Sequence, residues 1–297
     1  MSLEAVGFVG VGLMGEGMAA NILKAGHPLN VIAHRNRTPV ETLVAQGANE
    51  VSSLPDLAKT STIIHICAPG SPQVEAIVAE LLPHLQLESV VIDCSTADPT
   101  STERLAALLE TRGCHLADAP LGGTPVQAEA GELSTMMGAS NDVFERVEPI
   151  IKTWAVNVVH MGPVGTGHKM KLLNNMLSLG YGAMYSEALA LAQKNGISVA
   201  QFDSVIRGSR MDCGFYQTFI DYALNGNRES HKFTLTNAVK DLSYLEAMAS
   251  ESKVPNPIGN AAKNSFTMAV SEGGDGANDY IPHLVDFVAK RSGVSSK

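Results

Sequence analysis

Lys171, Asn174, Asn175, Ser178 and Gly182 recur at i, i+3, i+4, i+7 and i+11, the spacing of one helix face. The residues between them are mostly apolar: Leu172, Leu173, Met176, Leu177, Leu179 and Met184. A helix apolar nearly all round is expected to be buried. A narrow polar stripe on such a helix costs desolvation energy unless a partner satisfies it, and a ligand is one such partner. An amine with an amide one turn away can do proton chemistry at an oxygen. As an ammonium it polarises a carbonyl and protonates the alkoxide formed by reduction; as a free amine it takes the alcohol proton in reverse. Burial lowers a lysine pKa toward the working range. Lys171 is therefore the candidate catalytic acid and base. Asn175, and Asn174 at the stripe's edge, are candidates to orient the amine or hold a substrate oxygen. Lys169 lies about 200° round the helix from Lys171, so the two cannot serve one site. The competing reading is a buried polar network that ties the helix to the first domain.

A glycine loop supplies the second set of candidates. Gly10-Val11-Gly12-Leu13-Met14-Gly15 follows an apolar strand at residues 5–9 and opens a helical pattern that Gly26 stops. Gly10 allows a tight turn, Gly12 lets backbone approach a pyrophosphate, and Gly15 lets the helix pack closely. With Leu13 and Met14, the loop is expected to hold a dinucleotide at the helix N-terminus, where free N–H groups and the helix dipole favour anions. The second strand, residues 29–33, ends in His34-Arg35-Asn36-Arg37. An acidic residue there reads the ribose of NAD, and an arginine accommodates the phosphate of NADP. No carboxylate is present in this stretch, and a guanidinium binds a phosphate bidentately. NADP is expected, with NAD the alternative, and Arg35 is the main reader with help from Arg37. The bland alternative is a solvated surface pair of arginines.

These residues need an architecture that brings them together. Residues 62–67 and 90–93 read as two further apolar strands, with helical spacing at residues 40–46 and 74–82. Alternating strands and helices with continuously apolar strands imply a parallel sheet covered on both faces. The expected fold is an α/β Rossmann-type N-terminal domain with a parallel-rich sheet, then a long interdomain helix and an all-α C-terminal domain. Ligands in such sheets lie at the strand C-termini. Ser95 and Thr96, after the fourth strand, are candidates to meet nicotinamide, ribose or substrate, or else to cap the helix near Asp98-Pro99. Gly122-Gly123-Thr124 would let a small substrate meet bare backbone N–H groups, or would simply make a sharp turn. Residues 153–160 are β-like, and Met161-Gly162-Pro163 punctuates them. The domain boundary is expected there, with residues 1–163 binding the dinucleotide and 164–297 forming the helical substrate and oligomerisation domain. The interdomain helix should run from about Gly167 to Lys194, with Gly196 as its stop.

Bulk composition sets limits. The 297 residues, 45% hydrophobic and 17% charged, have a globular balance. A net charge of −9 argues against general nucleic-acid or anionic-membrane binding. The four cysteines form no C-x-x-C pair and read as reduced, mostly buried residues of a cytoplasmic protein. No 18-residue apolar span occurs, and the N-terminus lacks a basic region followed by a cleavage site. No metal-ligand spacing stands out.

Together these motifs resemble the β-hydroxyacid dehydrogenase family, which includes 3-hydroxyisobutyrate dehydrogenases and several short semialdehyde reductases. The resemblance covers nearly the whole chain. It rests on "GFVGVGLMGEGMAANILKAGH" at residues 7–27, "DCST" at 93–96, "DAPLGGTPVQAEAGEL" at 118–133, "GTGHKMKLLNN" at 165–175 and "KDL" at 240–242. It implies that Lys171 is the catalytic lysine and Asn175 the substrate-orienting asparagine. It also implies that Thr96 contacts the nicotinamide ribose and that Lys240 closes over cofactor and substrate. Ala68 and Pro69, in "CAPGSPQVE", match the loop flanking the cofactor. The family's helical second domain and its dimers or tetramers imply a homo-oligomer. The expected reaction is NADP-preferring interconversion of a small β-hydroxyacid and its semialdehyde or keto form. The rival is a nicotinamide-dinucleotide-binding protein without turnover. Longer phosphogluconate-type decarboxylating dehydrogenases share the pattern with a larger second domain. Where many members carry Ser-Gly-Gly, this chain has Gly122-Gly123-Thr124. The Gly-x-Thr form resembles the sulfolactaldehyde reductase branch, which typically has an arginine where Gly123 stands.

Overall fold

The computed structural model describes residues 3–294. The chain forms two compact units, Met1–Lys171 and Leu172–Lys297. In the first, strands β1 (Val6–Val9), β2 (Leu29–Val31), β3 (Asn49–Glu50), β4 (Ile63–Ile66), β5 (Val90–Asp93), β6 (His115–Asp118), β7 (Leu121–Gly122), β8 (Leu133–Gly138) and β9 (Ala155–Gly162) build one 9-stranded sheet. Its order is β3-β2-β1-β4-β5-β6-β8-β7, with β9 paired to β8. The run from β3 to β6 is parallel, β8 is antiparallel to β6 and β7, and β9 is parallel to β8. The order turns outward from β1 and β4 in opposite directions, so a crevice opens beyond their C-terminal ends.

Every residue of β1, β4 and β5 is buried, which is why these segments read as largely apolar runs. Alternate side chains feed two separate cores. Val6, Phe8, Ile63, Val90 and Ile92 pack with Met18, Ile22 and Trp154, whereas Val9, Ile64, Ile66 and Val91 pack with Leu57, Val78 and Leu109. Each such fully buried side chain contributes roughly 1.5–3 kcal/mol relative to exposure.

Two polar side chains sit among them, Asp93 at the end of β5 and His65 within β4. His65, in β4, is fully buried, and neither ring nitrogen has a hydrogen-bond partner among the described residues. Its ring stacks on Phe8 at 5.5 Å and meets Trp154 edge-on at 6.2 Å. Burial, with a smaller push from His27, drives its pKa from 6.5 down to about 3. The unfolded chain therefore holds more protons than the folded one between those values. Stability due to this group is intact above pH 6.5 and is lost as pH falls toward 3, by at most about 1.4 kcal/mol per pH unit. Urea titrations at pH 7 and pH 5 should show His65→Phe losing about 2 kcal/mol less than the parent protein over that interval. Equal losses would mean that His65 is not the group that titrates.

The second unit takes most of the long helix Thr166–Lys194 and the helices Val199–Ile206, Gly214–Asn225, Leu235–Glu251, Pro257–Glu272 and Leu284–Ser292. Leu179, Tyr216, Phe219, Leu242 and Phe266 are buried in its core. No described helix is long and apolar enough to cross a membrane.

The long helix corrects one expectation. It is not buried all round: Leu173 is 45% exposed, Leu177 58%, Met184 53% and Leu191 65%. Leu172, Leu179, Ala183 and Leu189 form its core-facing side. Apolarity on both faces hid the periodicity that normally marks a surface.

Candidate active site

In the first unit the glycine loop lies between β1 and the helix Gly15–Lys24. Gly10 has φ +96°, and a Cβ there would sit 2.1 Å from the Cys67 carbonyl oxygen at the end of β4. Only glycine fits both that angle and that contact. A Cβ on Gly15 would strike the Gly10 carbonyl at the same distance, whereas Gly12 faces open space. No side chain caps the following helix at Met14, and the Leu13 and Met14 N–H groups have no backbone acceptor among the described residues. Uncapped N–H groups beside open space over a glycine form a cradle that fits a pyrophosphate.

Beyond β2, His34, Arg35, Asn36 and Arg37 are all exposed. The two arginines differ. One Arg37 guanidinium nitrogen reaches both oxygens of Glu50, at 2.9 and 3.0 Å, and its Nε lies 3.5 Å from Glu41. Arg35 has no polar partner among the described residues. Asn36 accepts the Thr38 N–H at 3.2 Å and so shapes the entry to the helix Thr38–Ala45.

The loops after β4 and β5 are joined directly. The Ala68 N–H donates to Ser95 Oγ at 2.9 Å, and the Ser95 N–H donates to Asp93 Oδ1 at 2.9 Å. Ser95 is buried and Thr96 half-buried. The helix Pro99–Glu110 is capped by Asp98, whose carboxylate accepts from the Thr100 N–H at 3.0 Å. Ser95 is thus a strut between loops rather than the cap. Pro69 lies on the loop that begins at Cys67 and leads into the helix Ser71–Leu81. Burial, reinforced by the nearby Asp93 carboxylate, pushes the Cys67 thiol up to about 12. Burial likewise holds the Cys94 thiol well above its ordinary value, so neither thiol offers a thiolate to the crevice.

Gly122 and Gly123 lead into Thr124, the cap of the helix Pro125–Ala130. The Thr124 N–H donates to Gln127 Oε1 at 2.9 Å, and its hydroxyl is also turned to Gln127, so a capping box occupies both groups. Gly123 has φ +127°, and a Cβ there would meet Leu133 at 2.8 Å and Gln127 at 3.0 Å. An arginine at this position would therefore strain both backbone and packing.

The long helix begins over this crevice side of the sheet. Asp118, at the end of β6, accepts the Gly165 N–H at 2.6 Å and the His168 N–H at 2.7 Å, capping the helix from outside its own sequence. Burial raises the Asp118 pKa against the pull of His168 and these N–H groups. Lys171 follows one turn later and is half-buried. Lys169 is on the exterior, its Nζ 2.6 Å from Glu103 Oε1.

In the second unit Asn175 is buried and donates its Nδ2 to Asp241 Oδ2 at 2.7 Å. Asp241 is itself buried, and its Oδ1 lies 3.0 Å from Lys240 Nζ. One carboxylate thus holds two of the sequence-identified candidates. With its amide hydrogens turned to Asp241, Asn175 presents its carbonyl oxygen as an acceptor. Asn174 is exposed. Sequence reasoning had missed Asp241, Asp118 and His168. A visible signal for Asp241 was a carboxylate in an apolar helical stripe with Ala238, Leu242 and Leu245.

Two family models match the chain. The NAD-binding domain of 6-phosphogluconate dehydrogenase matches residues 5–162, and the NAD-binding domain of NADP-dependent 3-hydroxyisobutyrate dehydrogenase matches residues 165–282. A 3-hydroxyisobutyrate dehydrogenase of Pseudomonas aeruginosa is 32% identical over 89% of this chain and 91% of its own. An NAD-dependent L-serine dehydrogenase of the same organism is 30% identical over 91% and 94%. A 3-sulfolactaldehyde reductase of Escherichia coli is 28% identical over 99% of each. Among solved structures, a 3-hydroxyisobutyrate dehydrogenase from Mycobacterium tuberculosis, described with L-serine, superposes with a TM-score of 0.87 at 24% identity, covering 97% of this chain and 99% of that one. Fold, glycine cradle and matched sequence agree, and the chain belongs to the β-hydroxyacid dehydrogenase family of NAD(P)-dependent oxidoreductases.

Proposed function

We propose that this protein is an NADP-preferring reductase of short aldehyde acids, able to run in reverse on the matching β-hydroxyacids. When bound, the nicotinamide supplies or receives the hydride. The chain's own residues handle binding and the proton. Lys171 gives a proton to the nascent alkoxide oxygen and takes it back in oxidation. Asn175, fixed by Asp241, accepts a hydrogen bond from the lysine amine or the substrate hydroxyl. Lys240 closes over cofactor and substrate, and Thr96 meets the nicotinamide ribose. Arg35 receives the 2′-phosphate.

The observation that carries this reading is the pairing of Asn175 with Asp241, which keeps an amide acceptor oriented one turn beyond Lys171 while Lys169 is engaged elsewhere. The relatives' names supply a substrate class: 3-hydroxyisobutyrate, L-serine and 3-sulfolactaldehyde each carry oxygen at one end of a short frame and an acid group at the other. Here the acid group meets the backbone of Gly122 and Gly123, with Thr124 at the margin because of its capping role. The sulfolactaldehyde reductase branch that the Gly-x-Thr form resembles typically carries an arginine where Gly123 stands, so we assign a carboxylate rather than a sulfonate here. The exposed Leu173, Leu177, Met184 and Leu191 form an apolar stripe on one helix, and a second copy of the chain is the partner we assign to it.

The test is oxidation of NADPH and NADH, in parallel, with glyoxylate, sulfolactaldehyde and the tartronate, methylmalonate and succinic semialdehydes. Turnover of a carboxylate-bearing aldehyde with NADPH preferred is expected. Tight cofactor binding with no turnover across the panel would remove the substrate assignment.

A further inference from the structure

His168 is a fully buried imidazole residue on which three segments of the first unit converge. Its Nε2 lies 3.1 Å from the Ser95 carbonyl oxygen, in the loop after β5. Its Nδ1 lies 2.8 Å from Thr102 Oγ1, on the helix Pro99–Glu110. Its own N–H is held by Asp118 of β6. Through Ser95, which accepts the Ala68 N–H, it is linked to the loop after β4.

The protons can be placed. A carbonyl oxygen only accepts, so Nε2 carries a hydrogen. Thr102 has one hydroxyl proton and two neighbours, His168 Nδ1 and, at 3.1 Å, the Asp98 carbonyl oxygen. The Asp98 carbonyl already accepts the Thr102 N–H, so the hydroxyl proton can go to Nδ1, which accepts it. A ring carrying its hydrogen on Nε2 satisfies every contact. Two carboxylates face it. Asp93 Oδ2 is 3.9 Å from Nε2 and Asp118 Oδ2 is 3.9 Å from Nδ1, and both carboxylates are buried. The thiols of Cys67 and Cys94 beside Asp93 remain neutral.

We propose that His168 is a positioning residue for Lys171: hydrogen-bonded through its ring to the Ser95 carbonyl and the Thr102 hydroxyl, it locks the first turn of the long helix to the Ser95–Thr96 loop. The assignment rests on Lys171 being the proton donor. Lys171 stands one turn after His168, so rotation or fraying of that first turn moves the amine at the end of a long arm. A displacement of about 1 Å at a reacting group can cost on the order of 100-fold in rate. His168 touches neither substrate nor cofactor in this role.

Two measurements test it. First, 15N spectra of the histidine side chains, with His168→Gln used for assignment, should show the His168 Nε2 as the nitrogen that carries a hydrogen in its contact with the Ser95 carbonyl. A ring with no hydrogen on Nε2 would overturn the lock. Second, a double-mutant cycle compares His168→Gln in the parent and in Lys171→Ala, reading kcat and, by fluorescence titration, NADPH affinity. In the parent, His168→Gln should lower kcat about 10- to 100-fold with NADPH affinity within about 3-fold. In the Lys171→Ala background the same change should have almost no effect on kcat, because the residue it positions is gone. Equal kcat losses in both backgrounds, or no loss in the parent, would overturn the positioning role. Full activity of Lys171→Ala alone would instead remove the reading on which the proposal stands.

Discussion

Lys171→Ala is expected to lower kcat by about 100- to 10,000-fold, the range ascribed to a positioned general acid or base. NADPH affinity should stay within about 3-fold, since the pyrophosphate cradle and Arg35 belong to other loops. Lys171→Arg separates proton transfer from charge. Its guanidinium keeps the positive charge but does not give up a proton in the working range, so kcat should remain low while substrate binding survives. Lys169→Ala is the control. Its ion pair with Glu103 is exposed, and such pairs contribute about 0–1 kcal/mol, so activity and stability should change little. Steady-state kinetics with the best substrate of the aldehyde panel, beside NADPH titrations, would read all three variants. Near-normal turnover in Lys171→Ala would sink the acid/base assignment, as would a comparable loss in Lys169→Ala.

The parts of this protein that could be read from sequence are those whose partners lie close along the chain. The runs that became β1, β2, β4 and β5 were readable because burial on both faces keeps them mostly apolar, with Asn30, His65 and Asp93 as single exceptions. The end of the sheet was harder. β7 has only two residues, and β8 runs antiparallel, so neither follows the strand–helix rhythm of the first five strands. Helical geometry alone put Lys169 and Lys171 on different sides. It could not tell which apolar side of the long helix meets the core, since Leu172 and Leu173 look alike in composition and differ only in what packs against them. The supports of the candidate site lie beyond local pattern altogether. Asp118 and the His168 N–H are 50 residues apart, Thr102 and His168 are 66 apart, and Asn175 and Asp241 are also 66 apart. Such pairs exist only once the fold has formed. Arg35 and Arg37 illustrate the same limit at shorter range: nothing in their own stretch reveals that Glu50, on β3, engages one of them and not the other.

That difference between the two arginines sets the second large effect. Arg35→Glu is expected to lower kcat/KM for NADPH by about 100-fold or more and to raise that for NADH, reversing the preference. The loss combines a charge-assisted hydrogen bond, worth about 1.5–3 kcal/mol, with repulsion between a carboxylate and the 2′-phosphate. About 1.4 kcal/mol corresponds to each factor of ten. The gain for NADH follows because a carboxylate can accept the ribose hydroxyls that the phosphate replaces. Arg37→Ala should change the ratio by less than about 3-fold, as Glu50 and Glu41 already compensate its charge and hold it in place. Parallel NADPH and NADH titrations of the parent and both variants decide between the arginines. An unchanged ratio in Arg35→Glu would mean that the 2′-phosphate is not read there. A large shift in Arg37→Ala would mean that cofactor binding breaks the contact with Glu50 and recruits the second guanidinium.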